Sequence, residues 1–220
     1  MDNTISTNNS NFDCSYITRT IDLDANDGLS AYRGHACQQT HNVFEVFYEF
    51  LKETKPSNIL EIGTALGGFT MVIKGFIDEL GLQCNILTYD IHEHAWYSDM
   101  RNEGVDVRVE NVFNNGYSSV DGYVIDYIQR EGVTVVLCDG GSKIEEFNIL
   151  SNYLKAGDFI LAHDYARTVE HFNESINGKV WNWCEITQQN IESACARNKL
   201  SLYKEDIFNN VAWTCRTKVL

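Results

Sequence analysis

The chain is 220 residues long and carries 17 lysines and arginines against 31 aspartates and glutamates, a formal net charge of −14. So acidic a surface repels phosphate backbones and anionic headgroups, which disfavours a nucleic-acid polymer or a membrane surface as partner. Hydrophobic residues at 44% and aromatics at 12% exclude a disordered chain and suit one domain with a full core, spanning 1–220.

Residues 1–13 are polar and acidic, without the apolar centre of a signal peptide, and no apolar run approaches the roughly 20 residues that span a bilayer. Seven cysteines, an odd count with no Cys-x-x-Cys pair, read as reduced thiols of a cytoplasmic protein. Residues 1–33 carry few periodic apolar positions and read as a tail or loose cap, with 1–39 preceding the body of the domain. "YRGHACQQTH" then clusters His35, Gln38, Gln39 and His41. Two readings are open for it: a flap over a ligand, or a capping turn with Thr40 as N-cap.

From Thr40 the apolar positions Val43, Phe44, Phe47, Phe50 and Leu51 recur at helical spacing, and Pro56 ends that helix. "NILEIG" reads as a strand, Leu66 to Leu80 as a helix and "CNILTYDI" as a strand. "DVRVENV" is a further strand candidate, and "YSSVDGYVIDYIQREG" reads as a helix. "VTVVLCDGG" and "GDFILAHDY" have the look of strands buried on both faces, with a helix over Glu145 to Tyr153 between them. A helix near Gln188 to Arg197 and two strands, "LSLYKEDI" and "NVAWTCRTKV", complete the chain, the last pair turning at Asn209-Asn210. This alternation predicts an α/β fold: a Rossmann-like, doubly wound, mostly parallel sheet with a C-terminal antiparallel hairpin.

In such a sheet ligands bind beyond the carboxyl ends of the strands. The first strand-to-helix turn, Gly63 to Gly68, has glycines that permit close backbone approach. No Gly-Lys-Ser/Thr follows, so it is not a P-loop, and Gly-x-x-x-Gly-Gly misses the dinucleotide spacing of an NAD-dependent oxidoreductase. A plain turn without a ligand is the competing reading. The next strand ends in Asp90, whose carboxylate can take hydrogen bonds from two vicinal hydroxyls, or else cap a helix. Two later strands end at Asp139 and at His163-Asp164. Together these three make a candidate divalent-metal triad. An N-cap at Asp139, a metal-free substrate contact at Asp164 and a neutral strand-end histidine at 163 are the alternatives.

The run Glu61-x-Gly63-x-x-x-Gly67 resembles the first signature of class I S-adenosylmethionine (SAM)-dependent methyltransferases. That resemblance implies SAM contacts at Glu61, Gly63, Thr64, Gly67, Gly68, Asp90, Ile91, Asn111 and Asp139. Val135 to Ala166 is similar to the Asp-Gly-x-His … His/Asp-Asp-Tyr pattern of small bacterial O-methyltransferases of the macrocin, novobiocin and cephalosporin hydroxylase-like groups. From it, Asp139, His163 and Asp164 are implied to hold a divalent metal such as Mg²⁺, with Asp139 and Asp164 catalytic. Two departures stand out: Ser142 replaces the histidine of the pattern, leaving Lys143 as the candidate base, and His163 replaces an acidic residue.

The implied activity is an enzyme's: SAM-dependent methyl transfer to a hydroxyl of a small-molecule acceptor such as a sugar, nucleoside or phenol. A metal-free N- or C-methyltransferase and a non-catalytic SAM- or nucleotide-binding subunit are the rivals, and relatives of this kind imply a homo-oligomer. Outside the signatures, His92, His94, Trp96 and Tyr97 follow Asp90, and "WNWCE" at 181–185 suits either a substrate mouth or an oligomer contact.

Overall fold

The computed structural model describes residues 17–20, 29–40 and 42–220. Three largely apolar runs become strands with every residue buried: β4 (Asn58–Ile62), which also buries Asn58 and Glu61, β9 (Thr134–Cys138) and β10 (Phe159–Ala162). Such runs suit a sheet covered on both faces. With β5 (Asn85–Asp90), β6 (Asp106–Val109), β13 (Leu200–Leu202) and β14 (Thr214–Lys218) they form one seven-stranded sheet, ordered β13-β14-β10-β9-β4-β5-β6. The pairs from β6 through β10 are parallel, and β14 is antiparallel to both of its neighbours, β10 and β13. The fold is the expected Rossmann-like one. The chain runs from β4 out to β6 and returns on the other side through β9, so the switch point lies between β4 and β9, where this architecture opens a crevice.

Helices cover both faces. On one, α1 (Val43–Thr54) and α2 (Gly68–Glu79) contribute Phe47, Phe50, Val72 and Phe76 to a cluster that also holds Trp213. On the other, α4 (Gly122–Ile128), α5 (Lys143–Leu150) and α7 (Gln188–Arg197) contribute Val124, Phe147 and Ile191. Each fully buried side chain of this size adds about 1.5–3 kcal/mol of transfer free energy. Helix α1 stops because Lys55 turns left-handed, its N–H closing on Leu51 O, and Pro56 cannot continue the ladder. Among the described residues no helix is long and apolar enough to cross a membrane, and the six described cysteines are free.

Several elements differ from the pattern-based reading. Part of the presumed tail is ordered: β1 (Ile17–Thr20), β2 (Leu29–Tyr32) and β3 (His35–Ala36) form an antiparallel sheet. The N-cap of α1 is Asn42 rather than Thr40; His41 and Cys14 lie outside the described residues. A small hairpin, β7 (Phe113–Asn114) with β8 (Ser119–Val120), takes the start of the expected helix, which begins only after Asp121 caps it through Tyr123 N–H. α3 (Tyr97–Asn102) occupies a segment given no element. The turn at Asn209-Asn210 is the end of a helix, α8 (Glu205–Asn209), so the edge pair β13-β14 has a helical connection. Two-residue strands β11 (Tyr165–Ala166) and β12 (Ile186–Thr187) pair in parallel. Between them α6 (Val169–His171) continues as a π-turn over Phe172–Ile176.

Candidate active site

The β4–α2 loop is built from below. Glu61 is buried at the end of β4, and its Oε2 accepts from the hydroxyls of Thr70 and Thr88, both at 2.6 Å; Thr88 in turn meets Thr64 at 2.6 Å. The glycines make room for the protein's own chain. At Gly63, with φ +95°, an added Cβ would lie 2.2 Å from the Asp139 carbonyl oxygen. At Gly68 it would lie 2.4 Å from His35 O, and at Gly67 2.5 Å from Met100 Sδ. The loop is therefore gripped between β9, β3 and α3. Ala65 also turns left-handed (φ +46°), and its N–H donates to Asp90 Oδ2 at 2.7 Å while His92 N–H donates to Oδ1 at 3.0 Å.

Asp90 thus fastens the loop to the end of β5 and retains acceptor capacity, since a carboxylate offers about four lone-pair sites. It lines a cavity of about 390 Å³ together with Gly63, Ile91, Asn111, Asp139 and Glu146. Ile91 is exposed at the wall of this cavity. Asn111 Oδ1 accepts from Phe113 N–H. Tyr97 and Trp96 pack against protein instead of facing this space: Tyr97 Oη donates to Ala65 O at 2.7 Å, and Trp96 stacks on His35 with centroids 3.7 Å apart. His92 and His94 join no metal-capable cluster among the described residues.

A second cavity, of about 370 Å³, shares Gly63, Ala65 and Asp139 with the first and extends to Glu61, Thr64, Lys143, His163, Asp164, Trp181, Trp183 and Glu185. Its floor is the acid cluster. Asp139, His163 and Asp164 each bring one donor atom within 4.8 Å of the others. His163 Nδ1 is 3.0 Å from Asp139 Oδ1 and 3.6 Å from Asp164 Oδ1, while Nε2 is buried with no hydrogen-bond partner. Asp164 adopts φ +54°, a conformation aspartate tolerates. Two carboxylates and one imidazole fit a divalent ion, and the nitrogen donor favours Mn²⁺ or Fe²⁺ over Mg²⁺.

Lys143, the expected base, is held as a cation. Its Nζ is 2.8 Å from Asp164 Oδ2, 2.9 Å from Glu185 Oε2 and 3.8 Å from Asp139 Oδ1. Burial alone would lower its pKa, but the surrounding carboxylates outweigh that and raise it, so it has no free lone pair to offer near neutral pH. Burial likewise opposes charge on His163 and Asp164. Asp139 and Asp164 nevertheless lift the imidazole above its ordinary value, and His163 with Lys143 bring Asp164 below the usual carboxylate range. Ser142, not Asp139, is the N-cap residue of α5.

Four further contributors complete the site: Gln39 and Trp181 fall in stretches whose reading the sequence left open, and Trp213 and Glu146 were not assigned from it. Gln39 donates to Asp139 Oδ2 at 2.8 Å and accepts from Trp213 Nε1 at 2.8 Å, Trp213 stacks on His163, and Trp181 Nε1 donates to Asp164. Glu146 accepts from the N–H groups of Gly140 and Ser142, fixing the turn behind Asp139. The only local sign of this last role is the acidic pair in the first turn after Ser142, a helix-start pattern.

Comparison with known proteins agrees with this fold. Curated rhamnosyl O-methyltransferases of Mycobacterium tuberculosis and Mycobacterium bovis are each 26% identical over 144 residues, 61% of this chain and 56% of theirs. The chain thus spans little more than half the length of these relatives. A CmcI apo structure aligns over 86% of this chain and 76% of its own with a TM-score of 0.61 at 15% identity. A CmcI structure with Mg and SAM aligns over the same shares with 0.58 at 16%. At such identities these likenesses speak for the fold. The profile of the rhamnosyl O-methyltransferase/CmcI family matches residues 29–218, and the chain belongs to that family.

Proposed function

We propose that this protein is a SAM-dependent methyltransferase acting on a hydroxyl of a small molecule, carried by one domain. A sugar is the acceptor class to try first, because the mycobacterial relatives are named rhamnosyl O-methyltransferases. The observation that supports this reading is the shared wall: two cavities of about 390 and 370 Å³ meet at Gly63, Ala65 and Asp139. SAM in the first, with its ribose on Asp90, would bring its methyl group to the boundary, and the acceptor would approach from the second.

Methyl transfer is an in-line displacement, so holding the oxygen, methyl carbon and sulfur collinear supplies much of the rate. Asp139, braced by Gln39 and His163, stands at the boundary and is the group placed to receive the hydroxyl hydrogen. Asp164 and the protonated Lys143 would orient the acceptor from beside it. A divalent ion held by Asp139, His163 and Asp164 would lower the pKa of a bound hydroxyl. Trp183, half-exposed and edge-to-face with Trp181 at 5.0 Å, offers a flat apolar wall to a sugar ring.

The test is calorimetric titration of SAM into the wild type, Asp90→Ala and Asp90→Asn. Micromolar binding by the wild type is expected. A loss of at least tenfold is expected in Asp90→Ala, with Asp90→Asn intermediate because its amide oxygen still accepts one backbone N–H. Absence of heat with SAM for the wild type would sink the proposal. Formation of S-adenosylhomocysteine on adding rhamnosides would then identify the acceptor class.

A further inference from the structure

The ammonium of Lys143 sits on two of the three groups that a divalent ion would use. It spans the pair Asp139–Asp164 from 3.8 and 2.8 Å, and its oxygen surroundings are completed by Glu185 Oε2 at 2.9 Å and the Gly140 carbonyl at 3.0 Å. Its side chain is only 7% exposed, so water offers it no easy alternative. An ion seated on Asp139, His163 and Asp164 therefore displaces the ammonium from Asp164 or suffers its full repulsion. Glu185 is the partner the ammonium can keep. Its side chain is 48% exposed, it lies just ahead of β12 with its N–H donating to the Asp164 carbonyl, and the ion triad does not include it.

From these contacts we infer that Lys143 is a resident competitor for the divalent site, with Glu185 as the carboxylate that receives it when an ion enters. This rests on the reading of Asp139, His163 and Asp164 as a cation site. Without an ion, the ammonium of Lys143 offsets the charge that Asp139 and Asp164 bring to the buried cluster. With an ion, the charge on Lys143 must be carried by Glu185 and the Gly140 carbonyl. The Lys143–Glu185 pair thus sets how tightly the ion is held, and it gives the protein a weak, exchangeable site.

Mn²⁺ is the probe, followed by calorimetry and by the rise in melting temperature it causes, in the wild type, Lys143→Met, Glu185→Gln and the double variant. Lys143→Met is expected to bind Mn²⁺ at least tenfold more tightly than the wild type, because one positive charge has left the site. Glu185→Gln is expected to bind several-fold more weakly, and the same change made in the Lys143→Met background is expected to have no effect. Equal Mn²⁺ affinity in the wild type and Lys143→Met would overturn the competition and leave the metal site standing. No Mn²⁺ binding in any variant would overturn both. Weakening by Glu185→Gln in both backgrounds would make Glu185 a ligand and overturn its role as receiver. If Lys143→Met does not fold, an unchanged affinity in Glu185→Gln alone overturns the inference. SAM titration of the same samples separates these failures from failure of the cofactor reading, because Lys143 does not line the 390 Å³ cavity.

Discussion

Glu61 and Glu146 are buried carboxyls in the walls of the two adjoining cavities, and burial pushes each up to about 7 despite the hydrogen bonds that favour ionisation. In the unfolded chain both titrate near 4.3. Between these values the folded state keeps protons that the unfolded state has lost, so stability falls as pH rises from about 4.5 to about 7 and levels off above. A fully expressed shift of this size is on the order of 3 kcal/mol per group. Thermal melts across that window should show the decline in the wild type and roughly half of it in Glu61→Gln, which keeps the size of the side chain and cannot ionise. A Glu61→Gln curve parallel to the wild type would place the titration elsewhere. Of these two residues, Glu61 was legible as a strand-end acid beside glycines. Glu146 was not, because its value comes from facing the Gly140 and Ser142 amides, and only the fold decides which way a helical glutamate points.

At the scale of elements, the glycine loop separates close approach from mere turning. Gly63→Ala must displace the Asp139 backbone, with a Cβ 2.2 Å from its carbonyl oxygen, whereas Gly81→Ala meets nothing within 4 Å, although its φ is also positive (+64°). Denaturant melts should give a loss of 3 kcal/mol or more for the first, and about 1–2 kcal/mol from the left-handed backbone alone for the second. Similar losses at both positions would contradict the packing argument. The same contrast explains what the sequence disclosed. β9 and β10 were legible because their β-branched and apolar runs have the look of doubly covered strands, and β4 was legible as a short apolar run bearing Glu61 before a glycine turn. β11, β12 and α6 span no more than one period of any pattern, too little for a periodicity to show in the sequence.

Across the whole molecule the site is assembled from distant stretches of chain, and there the sequence is least informative. Asp139 and His163 were recognisable as strand ends bound for one edge. Gln39, 100 residues from Asp139, and Trp213, 174 residues from Gln39, carried no local mark of their meeting. Trp213 sits fully buried before β14, holds Gln39 through its Nε1 and lies under the His163 ring. Trp213→Phe removes that donor and part of the volume, so chemical denaturation should show a loss of about 2–4 kcal/mol. An unchanged midpoint would mean that Gln39 finds its bond elsewhere. Ala36, Cys37 and Gln38 also wall the 370 Å³ cavity, although they precede α1 and lie outside the seven-stranded sheet. One flank of that cavity is thus a short stretch that lies outside the main sheet. Exchanging Cys37 and Gln38 among homologues would reshape that wall while leaving Gln39 on Asp139 and Trp213 and the main sheet untouched, a cheap route for evolution and for protein engineers.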